Sequence, residues 1–336
     1  MTDAARPTSA DVARVAGVSR ATVSRVVNGT AGKTVKVETR RRVLDAVRTL
    51  GYTPHAFASS LRAGRSQLVL MPLMRVPLGH AVDQLVEHLS RDLAERGLRL
   101  LIDAERSLPP AEAARAWAEY RPAAVIGGPA TCPPEAVRIL RGAGVDTILL
   151  LDNSRRRDVT VLGFHDGAVA TVAAQYLVDA GHRRIACLVP DGPFAQLAGR
   201  RLARAQEVAA AVGATVEPVP CAFDLDSLRA VASDWRRSAS DRRPTGVFAY
   251  NDDFALLLVQ ALQEAGFRVP GDIAVVGAGN HPLGAQLHPR LTTAHFDARK
   301  VSAAVGEGIA HLLADEALPR STRRAMVPVL TRRDSA

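Results

Sequence analysis

Two groups of residues in this sequence have types and spacing suited to chemistry. Arg20, Ala21 and Arg25 fall in one short run near the N-terminus. A guanidinium can pair in bidentate fashion with the O6 and N7 of guanine, and an alanine methyl can touch the methyl of thymine. Around them stand Ser19, Thr22, Ser24 and Asn28, whose hydroxyls and amide suit phosphate oxygens; such contacts set register rather than sequence. The second group is Arg201, Phe223, Asn251 (with Asp252) and Asn280. An arginine, an aromatic face and amides that converge can hold a hydroxyl- or carboxylate-bearing small molecule. Catalytic patterns are missing: there is no G-x-S-x-G elbow, no H-E-x-x-H helix and no cysteine–histidine metal spacing. The expectation is two binding sites, with no catalytic residue, metal or cofactor.

The first group needs a scaffold, and the residues from Thr8 to Asn28 supply one. Thr8 and Asp11 have capping-box spacing, so a helix should begin at Ser9. Ala13 and Ala16 let a second helix cross closely, Gly17 permits a positive φ, Val18 plugs the core and Ser19 caps the next helix. Val23, Val26 and Val27 recur at helical spacing and leave the candidate side chains outward. A third helix over Val37–Leu50 closes a small core with Val43, Leu44, Val47 and Leu50. This is a helix-turn-helix with a supporting helix, and a solvated helical hairpin is the competing reading. The nearby G29-T-A-G-K-T34 imitates a phosphate loop, but Val27 stands where that pattern needs glycine, and a helix precedes it. Residues 54–66 hold a short amphipathic stretch, too short for a stable helix alone in water; ordering on DNA and a flexible linker both fit it.

Charge separates this module from the rest. The chain has 336 residues and a formal net charge of +9, and residues 1–66 alone carry +8. A basic module on a near-neutral body points to nucleic acid as the module's partner. With 47% apolar residues the chain can bury packed cores, and length suggests two or three domains. Three widely spaced cysteines suit a reducing cytosol. No signal-peptide core or membrane-length apolar run occurs, so a cytoplasmic protein without membrane association is expected.

Beyond Gln67, apolar runs alternate with amphipathic stretches. Strands are expected at residues 68–73, 98–104, 123–127, 147–151, 159–164, 184–189, 216–219, 246–250 and 273–277. Helical patterns fall between most of them, including 81–96, 110–120, 134–141, 167–180, 202–212, 226–237 and 254–265. This order implies parallel sheets covered on both faces, and the number of units suits two lobes. Ligands of such folds bind beyond the C-terminal strand ends, where the second group falls. Each member also has a plainer reading. Asn251 or Asp252 can cap the following helix, Phe223 can be ordinary core, and Arg201 can be a solvated member of R200-R-L-A-R204.

The run V12-A-R-V-A-G-V-S-R-A-T-V-S-R-V-V-N-G29, then Y52-T-P54 and A58-S-S-L61, resembles the lactose/galactose repressor (LacI/GalR) family of bacterial transcription regulators. G181-H-R-R-I185, Y250-N-D-D-F-A255, V269-P-G-D-I-A-V-V-G277 and P289-R-L-T-T293 extend the resemblance. It implies an α/β chain: an N-terminal three-helix helix-turn-helix plus hinge helix, then a two-lobed periplasmic-binding-protein-like (type I) α/β domain whose chain crosses between lobes three times. It places Arg20, Ala21 and Arg25 on base-reading positions and Leu61, with Ala58 beside it, as a minor-groove wedge. It places Arg201 on the ligand-contacting arginine, Phe223 on the stacking aromatic and Asn251 on the ligand asparagine. There are departures. Lys36 replaces a capping serine, and the loop before the third helix is about two residues longer than usual. Gly279-Asn280 stands where an aspartate pair is usual, V76-P-L-G79 replaces an asparagine-proline-aromatic motif, His165-Asp166 replaces an aspartate-asparagine pair, and Arg204 and Ala205 replace a glycine and an aromatic.

The expected organisation is a DNA-binding domain at 1–53, hinge helix and linker at 54–66, and an effector-binding and dimerisation domain at 67–336. The expected function is a repressor that binds a palindromic double-stranded DNA operator as a homodimer and answers to a small-molecule effector, a sugar or other polar metabolite. A stand-alone small-molecule binding protein is the alternative; it would leave the basic module unused. The short polar stretch after V327-P-V-L330 carries no heptads, so no tetramerising coiled coil is expected there.

Overall fold

The computed structural model describes residues 7–27, 35–52, 66–73, 79–105, 107–165, 167–324 and 326–336. The chain forms two compact units, Met1–Gln67 and Leu68–Ala336.

In the first unit, α1 (Ser9–Ala16), α2 (Arg20–Val27) and α3 (Val37–Leu50) surround a core of Val12, Ala13, Ala16, Val23, Val26, Val43 and Ala46. The capping box forms as expected: the Asp11 backbone N–H donates to the Thr8 hydroxyl, and the Asp11 carboxylate accepts from the Thr8 N–H at 2.9 Å. That backbone bond, the Thr8 hydroxyl and Arg14 lower the Asp11 carboxyl to about 2. Gly17 ends α1 at φ 62°, and Ser19 accepts from the Thr22 N–H at 3.2 Å to start α2. One core assignment changes. Leu44 faces solvent and Ala46 takes the buried place, because Ala46 shares the i, i+3, i+4, i+7 face of Val43, Val47 and Leu50 and Leu44 points away from it. Val47 and Leu50 pack at the margin of this core.

The second unit holds two sheets, each with helices on both faces. The first is ordered β2-β1-β3-β4-β5, with β1 Leu68–Pro72, β2 Arg99–Asp103, β3 Ala124–Gly127, β4 Thr147–Asp152 and β5 Thr160–Gly163, all parallel. Its helices are α4 (His80–Glu95), α5 (Pro110–Glu119) and α6 (Pro134–Gly142). The period of two is plain in β1: Val69 and Met71 join one core, and Leu70 joins the core on the other face. The second sheet is ordered β11-β10-β9-β8-β6-β7, from β6 (Arg184–Pro190), β7 (Thr215–Cys221), β8 (Gly246–Phe248), β9 (Ala274–Ala278), β10 (Thr292–His295) and β11 (Val329–Thr331). Among the described strands of this sheet only β11 runs antiparallel, against β10. Helices α7 (Ala168–Asp179), α8 (Ala195–Ala210), α9 (Leu225–Arg237) and α10 (Asp252–Glu264) cover it.

The chain crosses between lobes three times. Phe164 leads from β5 to α7; Phe296 leads from β10 back to α11 (Ala298–Leu313), which packs in the first lobe; the third crossing lies between Met326, in the first-lobe core, and β11. Phe164 and Phe296 stack with centroids 4.7 Å apart, tying two crossings together. The last residues are sewn into the second lobe: the Ser335 hydroxyl donates to the Val275 carbonyl at 2.6 Å, and Tyr176 donates to the Ala336 carbonyl at 2.7 Å. Three elements differ from expectation. Helix α8 begins at Ala195, not Leu202, so Arg201 sits inside the helix rather than at its start. Strands β10 and β11 lie outside the expected set; they are short and threonine-bearing, and pairing of β10 with β9 and of β11 with β10, rather than local pattern, makes them strands.

Candidate nucleic-acid interface and effector cleft

On α2 the side chains divide by face. Val23 and Val26 are buried, and Ser19, Arg20, Ala21 and Arg25 are exposed, with Thr22 and Ser24 between these extremes. The Ser19 and Thr22 hydroxyls lie 3.0 Å apart at the start of the helix. Arg20, Ala21 and Arg25 therefore share the outward face of a short, capped helix of groove-fitting width. Asn28, Ala58 and Leu61 lie outside the described residues.

The four residues of the second group gather about the N-terminus of α10, in the second lobe. Asn251 caps that helix, its Oδ1 accepting from the Phe254 N–H at 3.0 Å and its amide donating to Asp253 at 3.2 Å. Arg201 donates to the Tyr250 carbonyl, just beyond the end of β8, and its guanidinium lies 4.8 Å from the Tyr250 ring centroid. Phe223 is 54% exposed, so it is not ordinary core; its ring packs on Phe254 at 4.9 Å. Asn280 adopts φ 56°, its N–H donates to the Thr293 hydroxyl, and its Oδ1 accepts from Arg333 at 2.7 Å.

Asp252 holds this edge together. It is 2% exposed and accepts from the Thr293 hydroxyl at 2.7 Å and from the His281 N–H at 2.5 Å. Burial pushes its carboxyl above the ordinary carboxylate value, and the bonds from Thr293 and His281 oppose that rise. Sequence reading placed Asp252 at the strand end; its partners, 29 and 41 residues away, have no local signal.

Between the lobes lies a cavity of about 510 Å³, lined by Leu73, Gly79, His80, Val82, Asp83, Val86, Ile102, Asp253 and His281. None of Arg201, Phe223, Asn251 and Asn280 is among these lining residues, although His281 adjoins Asn280 and Asp253 lies two residues from Asn251. The rings of His80 (first lobe) and His281 (second lobe) meet across it at 5.1 Å, and His80 Nε2 is buried with no hydrogen-bond partner. Sequence reading missed His80, because a histidine at a helix start carries no pattern of its own. The three cysteine thiols are buried and free, and desolvation raises Cys132 and Cys221 to about 11 and Cys187 to about 12, so they are inert. Among the described residues no group of three or more His, Cys, Asp or Glu side chains is placed to hold a metal ion, and no helix is long and apolar enough to cross a membrane.

Residues 8–55 match the family described as bacterial regulatory proteins, lacI family, and residues 174–336 match the periplasmic binding protein-like domain. The HTH-type transcriptional repressor PurR of Vibrio parahaemolyticus is 30% identical over 300 residues, 87% of each chain. The chain belongs to the LacI family of bacterial regulatory proteins. The ribose operon repressor of Escherichia coli K12 is 28% identical over 350 residues, covering 98% of this chain and 99% of its own. A solved lac repressor dimer, bound to operator and the anti-inducer ONPF, has 24% identity and a TM-score of 0.76 over 98% of each chain, a likeness of fold. This LacI-family chain is thus a ligand-responsive, DNA-binding transcriptional repressor. Its family consists of transcriptional regulators, not enzymes, and a stand-alone binding module is disfavoured by the match over 8–55.

Proposed function

We propose that residues 1–53 read the operator, 54–66 form a hinge helix and linker, and 67–336 bind effector and dimerise. Arg20, Ala21 and Arg25 read base edges; Ser19, Thr22, Ser24 and Asn28 hold phosphates; Ala58 and Leu61 enter the minor groove. The effector sits between the lobes against Arg201, Phe223, Asn251 and Asn280, in support of which these residues converge on the N-terminus of α10. The observation that carries the reading is the outward face of α2, with its exposed arginines over a buried valine seam. The chain acts in the cytoplasm by binding alone, with no catalytic step. An effector that prefers one lobe arrangement shifts the population toward it, changes the spacing of the two hinge segments in the dimer, and so changes operator affinity by its differential affinity for the two states.

Selection from a random duplex library tests this. The expected product is a palindrome whose half-sites lie about one helical turn, or a multiple of it, apart. Enrichment of non-palindromic sequence, or of none, contradicts the reading.

A further inference from the structure

The inter-lobe edge of α8 carries more hydrogen-bond donors than its surroundings can accept. The Arg201 guanidinium is partly buried, and its Nε is sealed from solvent with no partner. Its Nη1 donates to a neutral carbonyl, that of Tyr250, and among the described residues no carboxylate pairs with it. One turn along, Arg204 Nη2 lies 2.8 Å from His165 Nε2, on the segment that crosses between lobes. The other ring nitrogen of His165 faces the Gly167 N–H at 3.1 Å. A neutral imidazole has one acceptor nitrogen, so two donors from outside the ring cannot both be satisfied. Arg204 also pairs with Glu207 at 2.5 Å, a surface contact one turn further on.

Arg200 adds to this field from the same helix. Burial raises the Asp152 carboxyl at the end of β4, but the bonds from Ser154 and Asn153 and the charge of Arg200 outweigh it and hold that group low. The helix of the second lobe thus presents positive charge toward the first. The carboxylates of Asp83 and Asp253 line the cavity described above, which Arg201, Arg204 and His165 do not line. The opposite side of the α10 terminus contributes Asn280, whose oxygen is already taken by Arg333.

A part-buried guanidinium with an unmet donor is completed best by an oxygen anion, which accepts in bidentate geometry and supplies the missing counter-charge. We propose that the effector is an oxyanion-bearing metabolite whose carboxylate or phosphate is held by Arg201 and Arg204 beside His165. This rests on the reading of the inter-lobe cleft as the effector site and goes beyond it in fixing the charge of the ligand. A carboxylate and a phosphate present the same accepting oxygens, so the experiment separates them.

The test is isothermal titration of the full-length protein with matched neutral and anionic compounds. Glucose against gluconate forms the carboxylate arm; glucose against glucose 6-phosphate, ribose against ribose 5-phosphate and adenosine against adenosine 5′-monophosphate form the phosphate arm. At least one anionic member is expected to bind tenfold or more tightly than its neutral partner, and Arg201→Gln and Arg204→Gln each to remove that preference. A second readout does not need the variants to fold: the Nε resonance of Arg201 in the wild-type protein should shift on addition of inorganic phosphate. Equal or tighter binding by the neutral members, with no phosphate-dependent shift, overturns the anion assignment and leaves the cleft an effector site. Absence of binding by every compound, neutral or anionic, overturns both.

Discussion

Arg20→Ala should cost the dimer most of its preference for its own operator. A bidentate arginine–guanine pair carries about 1–3 kcal/mol of discrimination, and a symmetric dimer makes it twice, so the expected loss is about 2–6 kcal/mol, from roughly thirtyfold to beyond ten-thousandfold in affinity. Arg20 is exposed on α2 and has no part in the core of Val12, Val23, Val26 and Val43, so the unit should stay folded. Affinity for random DNA should fall far less, because that binding draws on total charge, of which one arginine per subunit is a small share. Fluorescence anisotropy with selected and scrambled duplexes measures both. Equal losses on the two duplexes would make Arg20 a phosphate contact rather than a base reader.

Gly277→Ala should unhinge the second-lobe wall of the cleft. A methyl there would fall well inside contact distance of Asp252 Oδ1 and 3.0 Å from Leu291 Cδ2. Neither neighbour can yield: Leu291 is core, and Asp252 is bonded to Thr293 and His281. Overpacking of this kind costs about 1–3 kcal/mol, and leaving the Thr293 hydroxyl and the His281 N–H unmatched adds about 1–3 kcal/mol for each group. Urea unfolding measures the cost, and a stability within 0.5 kcal/mol of wild type would show that the wall is pliable.

Asp252 also gives this wall a pH dependence of definite sign. Its carboxyl is raised in the folded chain, so between the ordinary carboxylate value and that raised value the folded state binds more protons than the unfolded. The stability tied to this group is therefore present below the ordinary value and is lost as pH rises through the raised one. The same unfolding series, repeated across that window, should show stability falling with pH in wild type and a flatter profile in Asp252→Asn. A wild-type rise from this residue would reverse the assignment.

Much of this was legible in the chain because it is written locally. Thr8, Asp11, Gly17 and Ser19 each act within a turn of themselves, and α1, α2 and α3 form where caps and valine spacing put them. Strands β1 to β9 could be read because parallel, doubly covered strands are continuous apolar runs. What escaped was decided by partners far along the chain. Leu44 and Ala46, two residues apart, lie on opposite sides of α3, and the side that packs against α1 and α2 carries Ala46. Strands β10 and β11 are too short to announce themselves without the neighbours they pair with, β9 for β10 and β10 for β11. Sequence located Phe223, Asn251 and Asn280 after strand ends and Arg201 at a helix start that lies inside α8, but not what occupies their polar atoms. Asn280 is engaged by Arg333 from 53 residues away, and Arg204 meets His165 from 39 residues away. Pairings at such distances leave no periodicity to read.

The central claim is that occupancy of the cleft changes the hold on DNA. The direct measurement is operator affinity by fluorescence anisotropy with and without a metabolite that titration shows to bind the protein, in wild type and in Arg201→Ala. The account predicts a change of about 5–150-fold in wild type, in either direction according to whether the compound induces or corepresses. Arg201→Ala should hold the operator like the unliganded wild type and show no such change. An operator affinity that stays constant while the metabolite saturates the wild-type protein would contradict the account.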